Sequence, residues 1–341
     1  MSSLEVLRIG PIVTIQDMGR PGLLGQGVSQ GGAADIRALA EGAALLGQSA
    51  TLAALEMAGM GGEFKASGPL RIALTGAAMS ATIDGEPVAW NASHALTDGQ
   101  ILSIGAARQG VYGYLHLGGG VDSPKMLGAR AVHLAAGLGQ AIQVMDDIPA
   151  GADKGSHTGL ILDVSPRFEG GELRIVESFQ TSLFSSALRQ RLIETTFQRG
   201  SRANRMGVEL VCDGPGFAAD GQLNILSEVI TPGDVQMTGD GKPFVLLREC
   251  QTTGGYPRIG SVLPCDLPRV AQAQSRASFR FRWVSLAEAL DAEARFAAEL
   301  KELGRSCRPL VRDPADITDL LAYQLVGGVI SADADPFEKE S

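Results

Sequence analysis

Paired cysteines and long apolar runs are both missing from this 341-residue sequence. No apolar stretch approaches the roughly 20 residues that a membrane-spanning helix needs. The N-terminus has neither the basic region nor the apolar region of a secretory signal. No C-x-x-C pair occurs among the four cysteines, which are interpreted as ordinary thiols of a reducing compartment; they are Cys212, Cys250, Cys265 and Cys307. These absences predict a cytoplasmic protein with no membrane partner.

The charge balance excludes a further class of partner. Lys and Arg total 29 against 38 Asp and Glu, which gives a net charge of −9. Nucleic acids and anionic membranes are bound by clustered positive charge, so neither is an expected partner. Hydrophobic residues make up 45% of the chain, which is enough for a packed core, and the length suits two domains.

Metal-binding and nucleotide-binding motifs are also missing. The histidines show neither H-x-x-x-H nor H-E-x-x-H spacing, so no metal site is predicted; they are His94, His116, His133 and His157. His116 lies in the apolar run YLHL and is predicted to be a core residue. Lys242 precedes a proline and is not a P-loop lysine. Because no biotinyl-lysine motif occurs either, ATP or biotin would have to be bound or carried by another chain.

Glycine is abundant, with 44 residues, and many occur as pairs between short apolar runs. This pattern indicates β structure with many tight turns. Strands are predicted at residues 6–9, 70–74, 101–104, 111–117, 173–176, 244–248 and 279–283. Helices are predicted at residues 33–46, at residues 182–198, and after the capping box formed by Ser285 and Glu288.

Two pairs of similar segments indicate an internal duplication. The pairs are EVLRI with ELRI, at residues 5–9 and 172–175, and GGGVDSPKMLGA with TGGYPRIGS, at residues 118–129 and 253–261. A turn of Asp and Gly precedes each member of the second pair at the same spacing. We therefore predict two related domains, residues 1–165 and 166–341, which meet in the linker-like stretch 153–171.

The glycine-rich stretch GLLGQGVSQGG at residues 22–32 is similar to two catalytic motifs. Ser29 lies in a G-x-S-x-G pattern, which in a nucleophile elbow requires a buried strand entering the turn. The preceding GLLGQ is a poor core strand, so a nucleophilic Ser29 is not expected. A dinucleotide fingerprint also fails, because Gly31 comes one position too late and no βαβ unit surrounds it. We predict instead a glycine-rich loop that caps the first helix.

Two polar turns are candidates for holding an anion. In TIQDMGRPG, Gln16, Asp17 and Arg20 follow an apolar strand. An Asp–Arg pair there would leave guanidinium donors free for a carboxylate or phosphate. The same pair would also brace the turn, and both interpretations remain open. Arg205 lies in the polar loop SRANRMG, for which a solvated surface is an equal alternative.

The turn ECQTTGGYPRIGSV, at residues 249–262, combines a glycine pair with a distinctive polar set. Gln251, Thr252, Thr253 and Tyr256 surround its Gly-Gly-x-Pro bend. The similar segment of the first half has the glycines and the proline but no comparable polar group. We therefore attribute the bend to the scaffold and the polar set to a small-molecule site in the second half.

Several short motifs, taken in order, resemble the allophanate hydrolase subunit 2 family, which also includes biotin-dependent carboxyltransferases and the C subunits of 5-oxoprolinases. They are TIQDMGRPG, GVSQGGAAD, LLG, ALE, YLHLGGGVD, SRANRMG, GDVQ, DGKPFVLL and QTTGGYPRIGSV. The resemblance runs from about Leu4 to about Phe281. It implies a mainly β fold of two tandem cyclophilin-like β-barrels, each with about one or two helices.

The resemblance also implies a function. It favours a subunit of an ATP-dependent, 5-oxoprolinase-type lactam hydrolase that orients a small carboxylate or amide substrate between the barrels. Its partners would be a sister protein similar to the B subunit of 5-oxoprolinase and a third protein similar to the A subunit, with ATP bound among the partners. One alternative is a biotin-dependent carboxyltransferase related to urea carboxylase, with biotin on another chain. The other is a non-catalytic regulator that binds a sister subunit.

Site residues follow from the matching motifs. Catalytic roles are assigned to Asp17, Arg20 and Lys242, and substrate binding to Gln16, Arg205, Gln236, Gln251, Thr252, Thr253 and Tyr256. Four positions depart from the family pattern. Asn204 and Glu249 each stand where Asp is usual, and Gln140 and Glu209 stand where Arg is usual. Such changes of charge predict a changed substrate or a weaker activity.

Overall fold

The computed structural model describes residues 2–218 and 226–311 and is mainly β. The strands are β1 (Ser3–Ile9), β2 (Val13–Gln16), β3 (Ala54–Ala58), β4 (Gly62–Ser67), β5 (Leu70–Ile83), β6 (Glu86–Pro87), β7 (Ala92–Leu96), β8 (Ile101–Leu117), β9 (Asp147–Pro149), β10 (Leu160–Ile161), β11 (Gly170–Val176), β12 (Phe197–Asn204), β13 (Gly207–Val211), β14 (Glu228–Val229), β15 (Asp234–Met237), β16 (Pro243–Leu246), β17 (Thr253–Gly254), β18 (Arg258–Val262), β19 (Ser278–Trp283) and β20 (Arg308–Pro309). The helices are α1 (Ile36–Leu46), α2 (Ser186–Glu194), α3 (Leu267–Gln272) and α4 (Leu286–Ser306). None of these described helices combines the length and the apolarity needed to cross a membrane.

The first unit is an 11-stranded sheet that folds around its own apolar core. Its main path runs β20-β10-β7-β5-β8-β4-β1-β9, with β2, β3 and β6 attached at the side. Residues 101–104 and 111–117 were predicted as separate strands but belong to one strand, β8. The residues between them stay paired with β5, as in Ala78 with Gln109 and Met79 with Ala107, through a series of bulges.

The second unit closes into a seven-stranded barrel in the order β11-β18-β15-β16-β13-β12-β19. The predicted alternation in β19 is confirmed, because Phe279 and Phe281 are buried while Arg280 is exposed. The barrel core continues into the first unit, where Leu39 of α1 and Tyr114 of β8 pack against it. The two-barrel fold expected from the sequence is therefore confirmed, with one described helix in the first unit and three in the second.

Helix boundaries follow from their caps. Helix α1 begins at Ile36, three residues later than predicted, because the Asp35 side chain accepts hydrogen bonds from the backbone of Arg37 and Ala38. Its predicted end at Gly47 is confirmed by a left-handed backbone there. Helix α2 is shorter than predicted because the chain from Phe197 enters β12.

Capping also sets the start of α4. The predicted capping box is present, with reciprocal bonds between Ser285 and Glu288. This long helix packs against α1, and the chain that follows it returns to the first sheet, where β20 pairs with β10. The division at residues 165 and 166 stays a prediction, since strand and helix contacts cross between the units.

Buried charges join the two units beside α1. Arg167 donates to Asp35 at 2.7 Å and to both carboxylate oxygens of Glu41 at 2.9 and 2.7 Å. Gln272 of α3 donates to Asp35 at 2.9 Å and accepts from the backbone of Tyr112 at 2.9 Å. All five residues are at most 5% exposed. The units are therefore held at this contact by satisfied polar groups as well as by apolar packing.

His116 is confirmed as a core residue. It is 3% exposed, its Nε2 lies 2.8 Å from Thr75 Oγ1, and burial lowers its pKa to about 3. Helix α1 approaches it through Gly42, where a Cβ atom would lie 2.3 Å from the imidazole ring. The chain therefore keeps a neutral imidazole packed under a helix.

Replacing His116 by Gln should make the protein less sensitive to acid. The folded-state pKa lies below the ordinary value of 6.5, so the unfolded chain takes up a proton first as the pH falls. The contribution of neutral His116 is complete above pH 6.5 and is lost between 6.5 and about 3. Over that range the wild type should lose about 1.4 kcal/mol per pH unit more than the variant. The measurement is the free energy of unfolding in urea at pH 4 to 7. If it fell equally with pH in the wild type and in the variant, this account would be contradicted.

Candidate functional site

A pocket of about 600 Å³ opens on the second unit and contains part of the predicted site. We call it the barrel pocket; it is lined by Ser201, Arg202, Ala203, Asn204, Met206, Gly207, Ile230, Gln236, Thr238, Phe244, Leu246, Cys250, Gln251 and Tyr256. Gln236, Gln251 and Tyr256 were all predicted as substrate-binding residues. Apolar walls with a few amide and hydroxyl groups are typical of a site for a small, mostly uncharged molecule.

Two side chains define the polar character of the barrel pocket. Gln236 is 8% exposed, and its Nε2 has no hydrogen-bond partner among residues 2–218 and 226–311. This atom would lie 2.6 Å from a Cβ at position 254, which Gly254 lacks. Arg202 stacks over the ring of Phe244 at 4.9 Å and pairs with Glu209 at 2.7 Å. The pocket thus offers one unused amide donor and one cation at its rim.

The structure places three other predicted residues outside the lining of this pocket. The backbone of Thr252 accepts from Ile230, and Thr253 pairs with Val229 in a two-stranded ribbon. Lys242 is on a hairpin, half exposed, with its Nζ 3.2 Å from Asp240 and 3.9 Å from Glu209. These positions leave the two threonines next to the pocket and Lys242 on the outer surface.

The first polar turn lies at the contact between the units. Arg20 is 2% exposed, donates to the carbonyl oxygens of Ala131 and Met126, and leaves its Nη1 without a partner in the described part of the chain. No carboxylate among those residues lies within ion-pair distance of it, and burial lowers its pKa, partly offset by Asp17 and Glu249. A buried guanidinium with an unused donor is a costly arrangement unless an anion can reach it.

The expected ion pair between Asp17 and Arg20 is not formed. The Asp17 carboxylate accepts from the backbone of Gly19 at 2.8 Å and of Arg130 at 2.7 Å, so it braces the loop by itself. Gln16 is fully buried, and its amide donates to Thr14 and to the carbonyl oxygen of Val132. Asp17 and Gln16 therefore shape the turn that carries Arg20.

Arg205 bridges the two units. Its guanidinium donates to Glu249 at 2.6 Å, to Glu56 of the first sheet and to the carbonyl oxygen of Gly32. Burial would lower the pKa of Arg205, but the carboxylates of Glu56 and Glu249 raise it above its ordinary value. The alternative of a solvated Arg205 is therefore excluded, because its side chain is only 11% exposed.

Two residues of this region were not predicted as site residues. Ser29 Oγ lies 2.8 Å from His133 Nε2, and both residues are 5% exposed. His133 Nδ1 lies 3.9 Å from Glu249 Oε2. Burial lowers the pKa of His133, although Glu249 opposes the shift. The only sequence signal was the G-x-S-x-G pattern, whose strand context is indeed missing, since a short 3-10 turn precedes the loop.

These groups form one assembly, which we call the junction cluster: Arg20, Ser29, Glu56, His133, Arg205 and Glu249. The glycine-rich loop connects the two predicted turns: the backbone N–H of Arg20 donates to the carbonyl oxygen of Gln30 at 2.8 Å, and the side chain of Arg205 donates to that of Gly32. The junction cluster also adjoins the barrel pocket, since Glu249 precedes Cys250 and Arg205 precedes Met206, and both of those neighbours line the pocket. Residues 2–218 and 226–311 contain no group of three or more acidic, His or Cys side chains that could hold a metal ion.

The departures from the family pattern have defined contacts. Asn204 closes the turn before β13 by accepting from Met206 at 2.7 Å. Glu209 pairs with Arg202, and Glu249 pairs with Arg205, so each acidic replacement has a cationic partner. Gln140 is exposed in a loop of the first unit. The unusual charges are thus accommodated locally.

Two β-barrel units with a small-molecule pocket beside a charged junction define a protein of the carboxyltransferase-domain type. A sequence profile of the carboxyltransferase domain, subdomain A and B, matches residues 26–283, and the chain belongs to this family. It is 32% identical to the C subunit of 5-oxoprolinase from Escherichia coli (strain K12), over 85% of this chain and 94% of that protein. It is 24% identical to a putative urea carboxylase of Emericella nidulans, over 90% of this chain and 26% of that protein.

Solved structures show the same fold. The crystal structure of TTHA0988 superposes with a TM-score of 0.75 at 28% identity, over 83% of this chain and 55% of that one, so the present chain spans about half of that protein. The urea amidolyase of K. lactis superposes with a TM-score of 0.79 at 20% identity, over 92% of this chain and 21% of that one.

Proposed function

We propose that this chain is a subunit of a cytoplasmic, ATP-dependent lactam hydrolase of the 5-oxoprolinase type. One observation carries the proposal: the chain aligns with 94% of a free-standing relative named as the C subunit of 5-oxoprolinase, but with only 26% of the putative urea carboxylase. Its partners would be a sister protein similar to the B subunit of 5-oxoprolinase and a third protein similar to the A subunit. ATP would be bound among these partners, since the sequence has no P-loop.

The chemistry requires activation of an unreactive amide. Phosphorylation of the lactam oxygen would turn it into a leaving group, and the chain described here would orient the substrate or the phosphorylated intermediate. The barrel pocket suits the amide ring, with Gln236 and Gln251 as hydrogen-bonding groups and Tyr256 as a wall. Arg20 in the adjoining junction cluster supplies a donor for an anionic group. Lys242 is not included, because its Nζ is engaged by Asp240 and Glu209 away from the pocket.

A carboxyltransferase is the second candidate, favoured by the family to which residues 26–283 belong. In that role the barrel pocket would receive the ureido ring of biotin carried by another chain, and CO₂ would pass to a urea-like nitrogen. The amide groups and aromatic wall of the pocket suit a ureido ring as well as a lactam. The reaction therefore has to be decided by assay.

The deciding measurement is ATP hydrolysis that depends on 5-oxoproline, with the three purified proteins assayed singly and then mixed. We expect activity only in the mixture, and a raised KM when Gln251 is replaced by Ala. Stimulation by urea in the presence of a biotin carboxylase and a biotinylated carrier would favour the second candidate. If the activity is the same in mixtures with and without this chain, the chain has no catalytic role. It would then be a non-catalytic regulator or no part of the complex.

A further inference from the structure

The contact between Ser29 and His133 has no role in the proposed function. Ser29 belongs to the loop before α1, and His133 belongs to a loop that follows β8. Their 2.8 Å contact therefore joins distant parts of the first unit and does not arise from local turn chemistry. Both side chains are buried beside Arg205 and Glu249, where the second unit meets the first. A hydroxyl and an imidazole in this position can exchange a proton.

The protonation state of His133 is defined by its surroundings. Burial lowers the pKa of His133, so the ring is neutral at neutral pH. When Ser29 Oγ donates its proton to Nε2, the single ring proton lies on Nδ1. That nitrogen faces Glu249 Oε2 at 3.9 Å and has no hydrogen-bond partner among the residues described. Glu249 is fixed in turn by Arg205, which binds its other oxygen at 2.6 Å. The hydroxyl of Ser29, the neutral imidazole of His133 and the carboxylate of Glu249 therefore lie in a row, in the order found in nucleophile–base–carboxylate triads.

A second observation points to a ligand at the same place. Arg20 Nη1 is buried without a partner in the described chain. A Cβ atom at position 31 would lie 3.3 Å from this nitrogen and 3.7 Å from the Cδ2 atom of His133, and Gly31 leaves that position without a side chain. The unused guanidinium donor and the imidazole therefore face the same bare stretch of backbone. An acyl group that carries a carboxylate or phosphate would accept a hydrogen bond from the guanidinium and place its carbonyl carbon beside the Ser29–His133 pair.

We propose that Ser29, His133 and Glu249 form an acyl-transfer site, and that Arg20 anchors an anionic group on the acyl part of the substrate. The substrate class is a small ester or amide with a carboxylate or phosphate a few bonds from the carbonyl. This activity would belong to the chain itself and would require neither ATP nor a partner protein. It shares Arg20 with the proposed role in lactam hydrolysis, but it can be measured on the isolated chain, so failure of one activity is distinguishable from failure of the other.

The reaction consists of two balanced steps. In the first, Ser29 Oγ bonds to the substrate carbonyl carbon and its proton passes to His133 Nε2; the carbon–oxygen or carbon–nitrogen bond to the leaving group breaks, and that group takes the proton from Nε2. In the second, a water molecule gives a proton to Nε2 and bonds to the acyl carbon. The bond to Oγ then breaks, Oγ recovers a proton, and the carboxylic acid is released.

The test is covalent labelling of the purified chain by diisopropyl fluorophosphate, followed by peptide mass spectrometry. We expect one adduct, on Ser29. Ser29→Ala should abolish it, and His133→Gln should slow it about 100-fold or more, because a general base contributes about that factor. Ser186→Ala is the matched control: this serine is exposed at the start of α2, and its loss should change nothing. No adduct on Ser29 in the wild-type chain would overturn the proposal.

A second measurement separates chemistry from structure. His133→Gln could weaken the fold, so its thermal unfolding should be compared with that of the wild type. Glu249→Asp keeps the carboxylate, and we expect it to label faster than Glu249→Gln. Hydrolysis of p-nitrophenyl acetate should show a burst that matches the number of Ser29 sites. If the wild type and a folded His133→Gln variant are labelled at the same rate, His133 does not activate Ser29. Ser29 would then be an ordinary buried serine, and the proposed acyl-transfer site would be refuted.

Discussion

Replacing Arg205 by Met should lower the free energy of unfolding by about 3–5 kcal/mol, the usual cost of removing one partner from a buried ion pair. Arg205 is the cation between Glu56 of the first sheet and Glu249 of the second unit. The side chains of these two carboxylates are only 2% and 9% exposed, so neither is solvated once the guanidinium is gone. The measurement is urea unfolding followed by circular dichroism.

Arg282→Met is the matched control. Arg282 pairs with Glu172 at 2.8 Å, and the two side chains are 46% and 55% exposed. Exposed pairs contribute at most about 1 kcal/mol, so this variant should stay close to the wild type. Adding Glu56→Gln to Arg205→Met should recover part of the loss, because one uncompensated charge is removed. Equal stability of the two arginine variants would mean that the bridge between the units does not form in solution.

The same substitution tests how the units cooperate. Arg205 contacts Glu56 of the first sheet and the backbone of Gly32, and a core of apolar residues also continues from one unit to the other. In the wild type we expect one unfolding transition. If Arg205→Met uncouples the units, the transition should broaden or divide, because two-state behaviour requires the units to unfold together.

Local sequence patterns predicted the elements whose signals are local. The alternation in residues 279–283, the capping box at Ser285 and the glycine that ends α1 all concern contacts within a few residues, and the structure confirms them. The start of α1 was predicted too early. Asp35 caps the N-terminus of the helix by accepting hydrogen bonds from the backbone of Arg37 and Ala38, so the helix begins only at Ile36. The continuity of β8 depends on its pairing with β5, a strand that lies well before it in the chain, so it could not be predicted from the residues of β8 alone.

The candidate site divides in the same way. Gln251 and Tyr256 were predicted because polar residues around a glycine bend are unusual in themselves, and Gln236 was predicted because it lies in the GDVQ motif of the family resemblance. Glu56 and His133 were not assigned to the site, because each gains its role only from residues far away in the chain. Ser29 was noticed for a motif whose structural context is missing, and its actual partner comes from another loop. Long-range contacts of this kind have no local pattern.

Replacing Arg20 by Met should lower activity without lowering stability. In lactam-dependent ATP hydrolysis by the assembled complex, we expect kcat/KM to fall about 30-fold or more, since a hydrogen bond to a charged group contributes about 2 kcal/mol. In the isolated chain, hydrolysis of the p-nitrophenyl monoester of glutaric acid should fall by a similar factor, while p-nitrophenyl acetate, which has no anionic group, should be affected much less. The difference between the two esters isolates the anchoring role.

The free energy of unfolding should change much less on replacement of Arg20 than on replacement of Arg205. Arg20 is buried with no carboxylate at ion-pair distance in the described chain, so the wild type bears a desolvation cost that Met removes. The loss of its bonds to Ala131 and Met126 offsets this gain, and the free energy of unfolding should change by less than about 1 kcal/mol. Arg8→Met, which replaces an exposed arginine of β1, is the control for both measurements. A loss of several kcal/mol with unchanged activity would make Arg20 a structural brace, the alternative that the sequence left open.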